Sequence, residues 1–90
     1  MTWTVELHPD AAAALVKLAR RDRLTAKRLT DALREVAATD DPRSRGKALT
    51  GPLAGLWRYR VGDWRIVADL QDERLVILAV DVGHRSQIYR

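Results

Sequence analysis

Trp57-Arg-Tyr-Arg-Val-Gly-Asp-Trp-Arg-Ile-Val-Ala-Asp-Leu70 reads as two strands joined by a two-residue turn at Gly62-Asp63. That turn pairs Val61 with Trp64 and Arg60 with Arg65. Directly opposed residues share a sheet face. Trp57, Tyr59, Val61, Trp64, Ile66, Ala68 and Leu70 then fall on one apolar face, and Arg58, Arg60 and Arg65 fall on the other. A one-residue slip would scramble the apolar set, so the pattern fixes the register. Two guanidinium groups about 5 Å apart repel by roughly 1 kcal/mol in water. Folding alone gives no reason for that pair, whereas a phosphate-rich partner does.

Outward from the hairpin, Trp3, Val5 and Leu7 alternate with Thr4 and Glu6, as in a short strand. His8-Pro9 ends it, and Asp10 is suited to cap a helix that carries Ala11, Leu15 and Leu18 on one face to about Arg21. A second helix from about Thr25 aligns Leu29, Ala32, Leu33 and Val36 and stops near Pro42. Residues 43–55, with three glycines and a proline, read as a loop. Strands over about 56–61, 64–70 and 74–82 follow, the last two joined by a turn at Asp72-Glu73. Gly83 ends the third, and residues 84–90 read as a short extended return. The order β-α-α-β-β-β gives an α+β fold: an N-terminal strand, a helical hairpin, then an antiparallel sheet of three to four strands with the helices on one face.

Ninety residues make one domain, spanning 1–90. Sixteen Lys and Arg against twelve Asp and Glu give a net charge of +4. The excess is local: Arg43, Arg45, Lys47, Arg58, Arg60 and Arg65 face only Asp63 in that stretch. Nucleic acid is the first partner this implies and an acidic protein the second. A further cluster, Lys17, Arg20, Arg21, Arg23, Lys27 and Arg28, surrounds the helical turn. It is either a solvated polar face or a second contact for nucleic acid. Absence of cysteine excludes disulfides and thiolate metal sites and fits a cytoplasmic location. Two histidines do not suggest a metal site. The start MTWTVELHPD has neither the basic nor the apolar region of a signal peptide.

Gly46-Lys-Ala-Leu-Thr-Gly51, Gly55-Leu-Trp-Arg-Tyr-Arg-Val-Gly-Asp-Trp-Arg-Ile-Val67 and Val82-Gly-His-Arg-Ser-Gln-Ile-Tyr89 together resemble the RelE/ParE toxin superfamily, its RelE-like branch most. The resemblance implies a toxin of a type II toxin–antitoxin system. RelE-like toxins are ribosome-dependent mRNA endoribonucleases that need no metal or other cofactor. The 2′-hydroxyl attacks the adjacent phosphate, leaving a 2′,3′-cyclic phosphate and a 5′-hydroxyl. The implied partners are the ribosome with its mRNA and an acidic, partly disordered antitoxin, through which the complex binds operator DNA.

Carried onto this chain, the family's first-strand basic pair falls on Arg58 and Arg60, and its second-strand arginine on Arg65. The late arginine falls on Arg85 and the C-terminal aromatic on Tyr89. Arg60 and Arg65 are then expected to clamp phosphate, and Lys47 and Arg58 to bind RNA. Arg85 would offset charge near the leaving oxygen, and Tyr89 would stack on a base or orient the 2′-hydroxyl. Relatives carry lysine where this chain has Arg58 and Arg60, and arginine stays protonated, so Arg60 is a poor base. His84 is the nearby side chain suited to proton transfer as base or acid. Two other readings keep the fold: a ParE-like inhibitor of DNA gyrase without nuclease activity, and an inactive relative that only binds its antitoxin. Val76, Leu78 and Val80 are expected on the Arg65 face, as an apolar stripe covered by the C-terminal segment or by the antitoxin.

Overall fold

The computed structural model describes residues 2–88. Strand β1 (Thr4–Leu7) leads into α1 (Pro9–Arg21) and α2 (Arg23–Ala37). β2 (Lys47–Ala48), β3 (Trp57–Val61), β4 (Trp64–Gln71) and β5 (Val76–His84) follow. They form one sheet in the order β1-β5-β4-β3-β2, with β1 parallel to β5 and the other pairs antiparallel. The sheet is therefore mixed, with five strands.

His8, not Asp10, caps α1: its Nδ1 accepts from the Asp10 amide at 3.1 Å, and Pro9 takes the first turn, where its missing N–H costs nothing. Asp10 lies within the first turn and Arg20 and Arg21 in the last, each suited to the helix dipole. Asp22 alone separates the helices. Its amide bonds the Leu18 carbonyl at 2.7 Å, ending α1, and its carboxylate accepts from the Thr25 amide at 3.1 Å, starting α2 two residues before Thr25. Ala11, Leu18, Ala26, Leu29, Leu33 and Val36 turn their shared faces onto Tyr59, Ile66, Ala68, Leu70, Ile77, Ala79 and Val82 of the sheet. Leu29, Leu33, Ile66 and Ile77 are fully buried, each worth about 1.5–3 kcal/mol of transfer free energy.

The hairpin register is as read: Arg60 pairs with Arg65 and Val61 with Trp64. Gly62 has φ +60° and Asp63 is not left-handed, the pattern of a type II′ turn, whose twist suits the strands. Four details differ from the sequence reading. Residues 43–55 are not all loop, because β2 pairs with β3 and short 3-10 turns occupy Pro42–Ser44 and Gly51–Leu53. The β4–β5 connection holds four residues, 72–75, with Leu75 at φ +53°, so β5 starts at Val76. An even change in loop length preserves the faces. A bulge opposite Val67/Ala68 leaves Val80 unpaired and shifts the alternation by one residue, which turns Val82 onto the core, and β5 continues through Gly83 to His84. After it, residues 84–88 turn back, with the Gln87 and Ile88 amides on the His84 carbonyl, instead of extending.

Candidate functional site

Cross-strand pairing aligns the cations. Lys47 opposes Arg58, and one row along the strands Arg60 opposes Arg65. Because Trp57, Tyr59 and Val61 turn toward the helices, all four cations belong to the opposite, open face. β2 holds Lys47 there. The Trp57 indole donates to the Arg45 carbonyl at 2.6 Å, and the Leu49 amide to the Leu56 carbonyl at 3.0 Å. Gly46 sits so close to β3 that a Cβ would strike the Arg58 carbonyl and crowd the Trp57 indole nitrogen. Upstream, the buried Tyr59 hydroxyl donates to the Pro42 carbonyl at 2.7 Å, and burial pushes its pKa up to about 12. Arg43 grips Asp72 with two bonds of 2.8 and 2.9 Å, which holds the Asp72 carboxyl below its ordinary range.

The four cations are not equivalent. Lys47 and Arg60 are exposed, and Arg58 is half-buried. Arg58 Nε is the one buried side-chain nitrogen or oxygen among the described residues without a hydrogen-bond partner, so a bound oxygen would satisfy it. Arg65 is only 8% exposed, and its Nη1 donates to the Gly62 and Trp64 carbonyls at 2.9 Å each. It braces the hairpin turn as well as adding charge. This local tie also answers why two arginines are opposed.

Residues 84 and 85 part company. The Arg85 amide bonds the Asp63 carbonyl at 2.8 Å and its Nε lies 3.7 Å from the Asp63 carboxylate, at the hairpin tip. His84 pairs with Trp64 across β4–β5, and the rings meet edge to face with centroids 5.6 Å apart. That puts His84 on the helix side, whereas Arg65 points to the open side. His84 therefore does not share the open face with Arg60 and Arg65. Tyr89 lies outside the described residues. The sequence reading also missed an apolar groove of ≈ 560 Å³ on the open face, where Leu49, Pro52, Leu53 and Leu56 face Val67, Val80 and Ile88. Of the expected stripe, Val76 is buried and Leu78 and Val80 are half-buried, so part of its cover comes from the chain itself. Among the described residues no His, Asp and Glu cluster is arranged to hold a metal, and no helix is long and apolar enough to cross a membrane.

The profile of the ParE toxin of type II toxin–antitoxin systems matches residues 5–89. Among solved structures, the chain is similar to the toxin–antitoxin complex RelBE2 of Mycobacterium tuberculosis. There the identity is 29% over 97% of this chain and 95% of that one, with a TM-score of 0.70. It shares its fold with the free toxin RelE of E. coli (22% identity, 98% and 88% covered, TM-score 0.75). The archaeal RelE–RelB complex of Pyrococcus horikoshii is likewise similar in fold (24% identity, 97% and 99% covered, TM-score 0.68). No curated protein sequence matches the chain.

Proposed function

Because the chain belongs to the ParE toxin family of type II toxin–antitoxin systems, we propose that it is a toxin of the RelE kind that cleaves mRNA on the ribosome. The observation that carries this is the register that gathers Lys47, Arg58, Arg60 and Arg65 on one open face. A phosphorane carries more negative charge than the diester it forms from, so fixed cations aimed at it favour the transition state over the ground state. Arg60 and Arg58 contact the scissile phosphate, Lys47 a neighbouring one, and Arg65 keeps Arg60 in place by bracing the turn. Arg85, at the hairpin tip, offsets charge as the 5′-oxygen leaves, and Tyr89 orients the 2′-hydroxyl or stacks on a base. None of the four face cations is a competent base near neutrality. Charge stabilisation and alignment of the 2′-hydroxyl by the ribosome carry the rate.

The test is primer extension on mRNA from cells expressing the wild type or Arg60→Ala. Discrete cuts within translated codons that vanish in the variant support the nuclease. Growth arrest with intact mRNA refutes it. A second reading, gyrase inhibition without nuclease chemistry, is favoured by the ParE profile and by the engagement of Arg65 within its own hairpin. Loss of plasmid supercoiling on expression separates the two.

The similar structures from M. tuberculosis and, at lower identity, E. coli are toxin–antitoxin complexes. For this chain the antitoxin is an acidic segment that lays carboxylates on Arg58 and Arg60 and apolar side chains in the groove beside Val67 and Val80, ordering as it binds. Slowed amide exchange across β5 on complex formation is the expected signature; unchanged exchange there counts against this mode.

A further inference from the structure

His84 ends β5 with its ring tied from one side. The Ser86 backbone amide donates to Nδ1 at 3.2 Å, and Ser86 Oγ lies 2.8 Å from the same atom. A backbone amide only donates, so Nδ1 carries no proton in this arrangement, and the neutral ring keeps its proton on Nε2. Nδ1 is thereby occupied, and the ring offers a ligand an N–H donor.

His84 lines a hollow of ≈ 350 Å³ between the start of α2 and the hairpin tip, with Arg28, Thr25, Trp64 and Asp63. Asp63, the one acid on its wall, faces Arg85 Nε across 3.7 Å. What remains for a ligand is the Arg28 guanidinium and the Nε2–H, since the Thr25 hydroxyl donates to the Asp22 carboxylate. The row Val61–Trp64–His84 adjoins the row Arg60–Arg65–Gly83, about 3.3 Å further along the strands. A strand of RNA leaving the cationic face over the tip reaches this hollow next.

We propose that the hollow takes a backbone phosphate of the RNA whose scissile phosphate lies on the open face, with Arg28 and the Nε2–H of His84 as its donors. This inference rests on the RNA reading above. Ser86 is the positioning residue: it sets the tautomer by holding Nδ1 as an acceptor. His84 then binds RNA as a fixed donor, and it does not collect a proton from the 2′-hydroxyl.

The test uses the free chain and a short 2′-O-methyl oligoribonucleotide, which cannot be cleaved. Long-range ¹⁵N correlation spectra of the wild type should show His84 protonated at Nε2 and bare at Nδ1; Ser86→Ala should give a tautomer mixture. A wild-type proton on Nδ1 overturns the proposal. In fluorescence anisotropy His84→Ala should bind the oligonucleotide about fivefold more weakly, the value of one hydrogen bond. His84→Gln, which restores an N–H donor, should bind within about twofold of wild type, and Arg28→Ala should weaken binding and flatten its salt dependence. If Gln is as weak as Ala, donation by His84 is refuted. If His84→Ala binds like wild type while Arg60→Ala is weakened, the hollow is refuted and the cationic face stands. If neither variant changes binding, the RNA reading falls with it.

Discussion

Replacing Gly46 with alanine should cost about 3 kcal/mol or more, and the same change at Gly62 only about 1–2 kcal/mol. Both glycines are left-handed, at φ +79° and +60°. Alanine pays roughly 1–2 kcal/mol for that conformation at either place. The surroundings differ. A Cβ at Gly62 meets nothing within 4 Å, whereas at Gly46 it strikes the Arg58 carbonyl, lies 2.7 Å from Trp57 Nε1 and 3.0 Å from Tyr59 Cδ1. The first is β3 backbone and the second is fixed by its bond to the Arg45 carbonyl, so the relief is for β2 to move away. That breaks the Trp57–Arg45 hydrogen bond, worth about 1 kcal/mol, and draws Lys47 off Arg58. Urea unfolding followed by tryptophan fluorescence measures both variants. Equal midpoints for Gly46→Ala and Gly62→Ala would refute the close approach of β2 to β3. An RNA-binding loss confined to Gly46→Ala would tie that approach to the cationic face.

Arg65→Ala should destabilise the fold by about 1–3 kcal/mol, since a buried group with two backbone acceptors is lost, while exposed Arg60→Ala should shift the unfolding midpoint little; equal shifts would refute the bracing role. Tyr59 is held neutral by burial, so its contribution is complete below pH 10 and is lost as pH rises through its folded value of about 12. Alkaline titration of stability should therefore fall less steeply between those values for Tyr59→Phe than for wild type, and identical slopes would refute it. The Thr25 hydroxyl and amide hold the Asp22 carboxyl below its ordinary range. Stability from this cap is present above the unfolded carboxylate value and is lost as pH falls through the folded one. Asp22→Asn should keep a cap and weaken the acid dependence; an unaltered acid limb would dismiss the cap as its source.

The hairpin was legible because alternation and a Gly-Asp turn specify the same register, and the helices because their apolar spacing matches the buried faces of α1 and α2. β2 was not: two residues show no alternation, and they pair only because Gly46 and Trp57 bring the chain against β3. The bulge at Val80 was hidden for the same reason, since an extra valine in an apolar run breaks no pattern. The cationic face was legible as a list of residues on one side, but not in its division of labour. Nothing local says that Arg65 would turn back on Gly62 and Trp64, or that the bulge and a longer strand would carry His84 to the helix side. Those outcomes depend on where β4 and β5 end relative to each other.

β5 is a central strand, flanked by β1 and β4, although it is the last strand in the chain. Its parallel pairing joins residue 4 to residue 76, a closure that no earlier segment can make. During synthesis β1 and the helical hairpin therefore emerge with no sheet strand to bind, and the apolar face of α1 stays open until residues 76–84 leave the exit tunnel. Completion of the β-layer is thereby postponed until β5 itself has been translated.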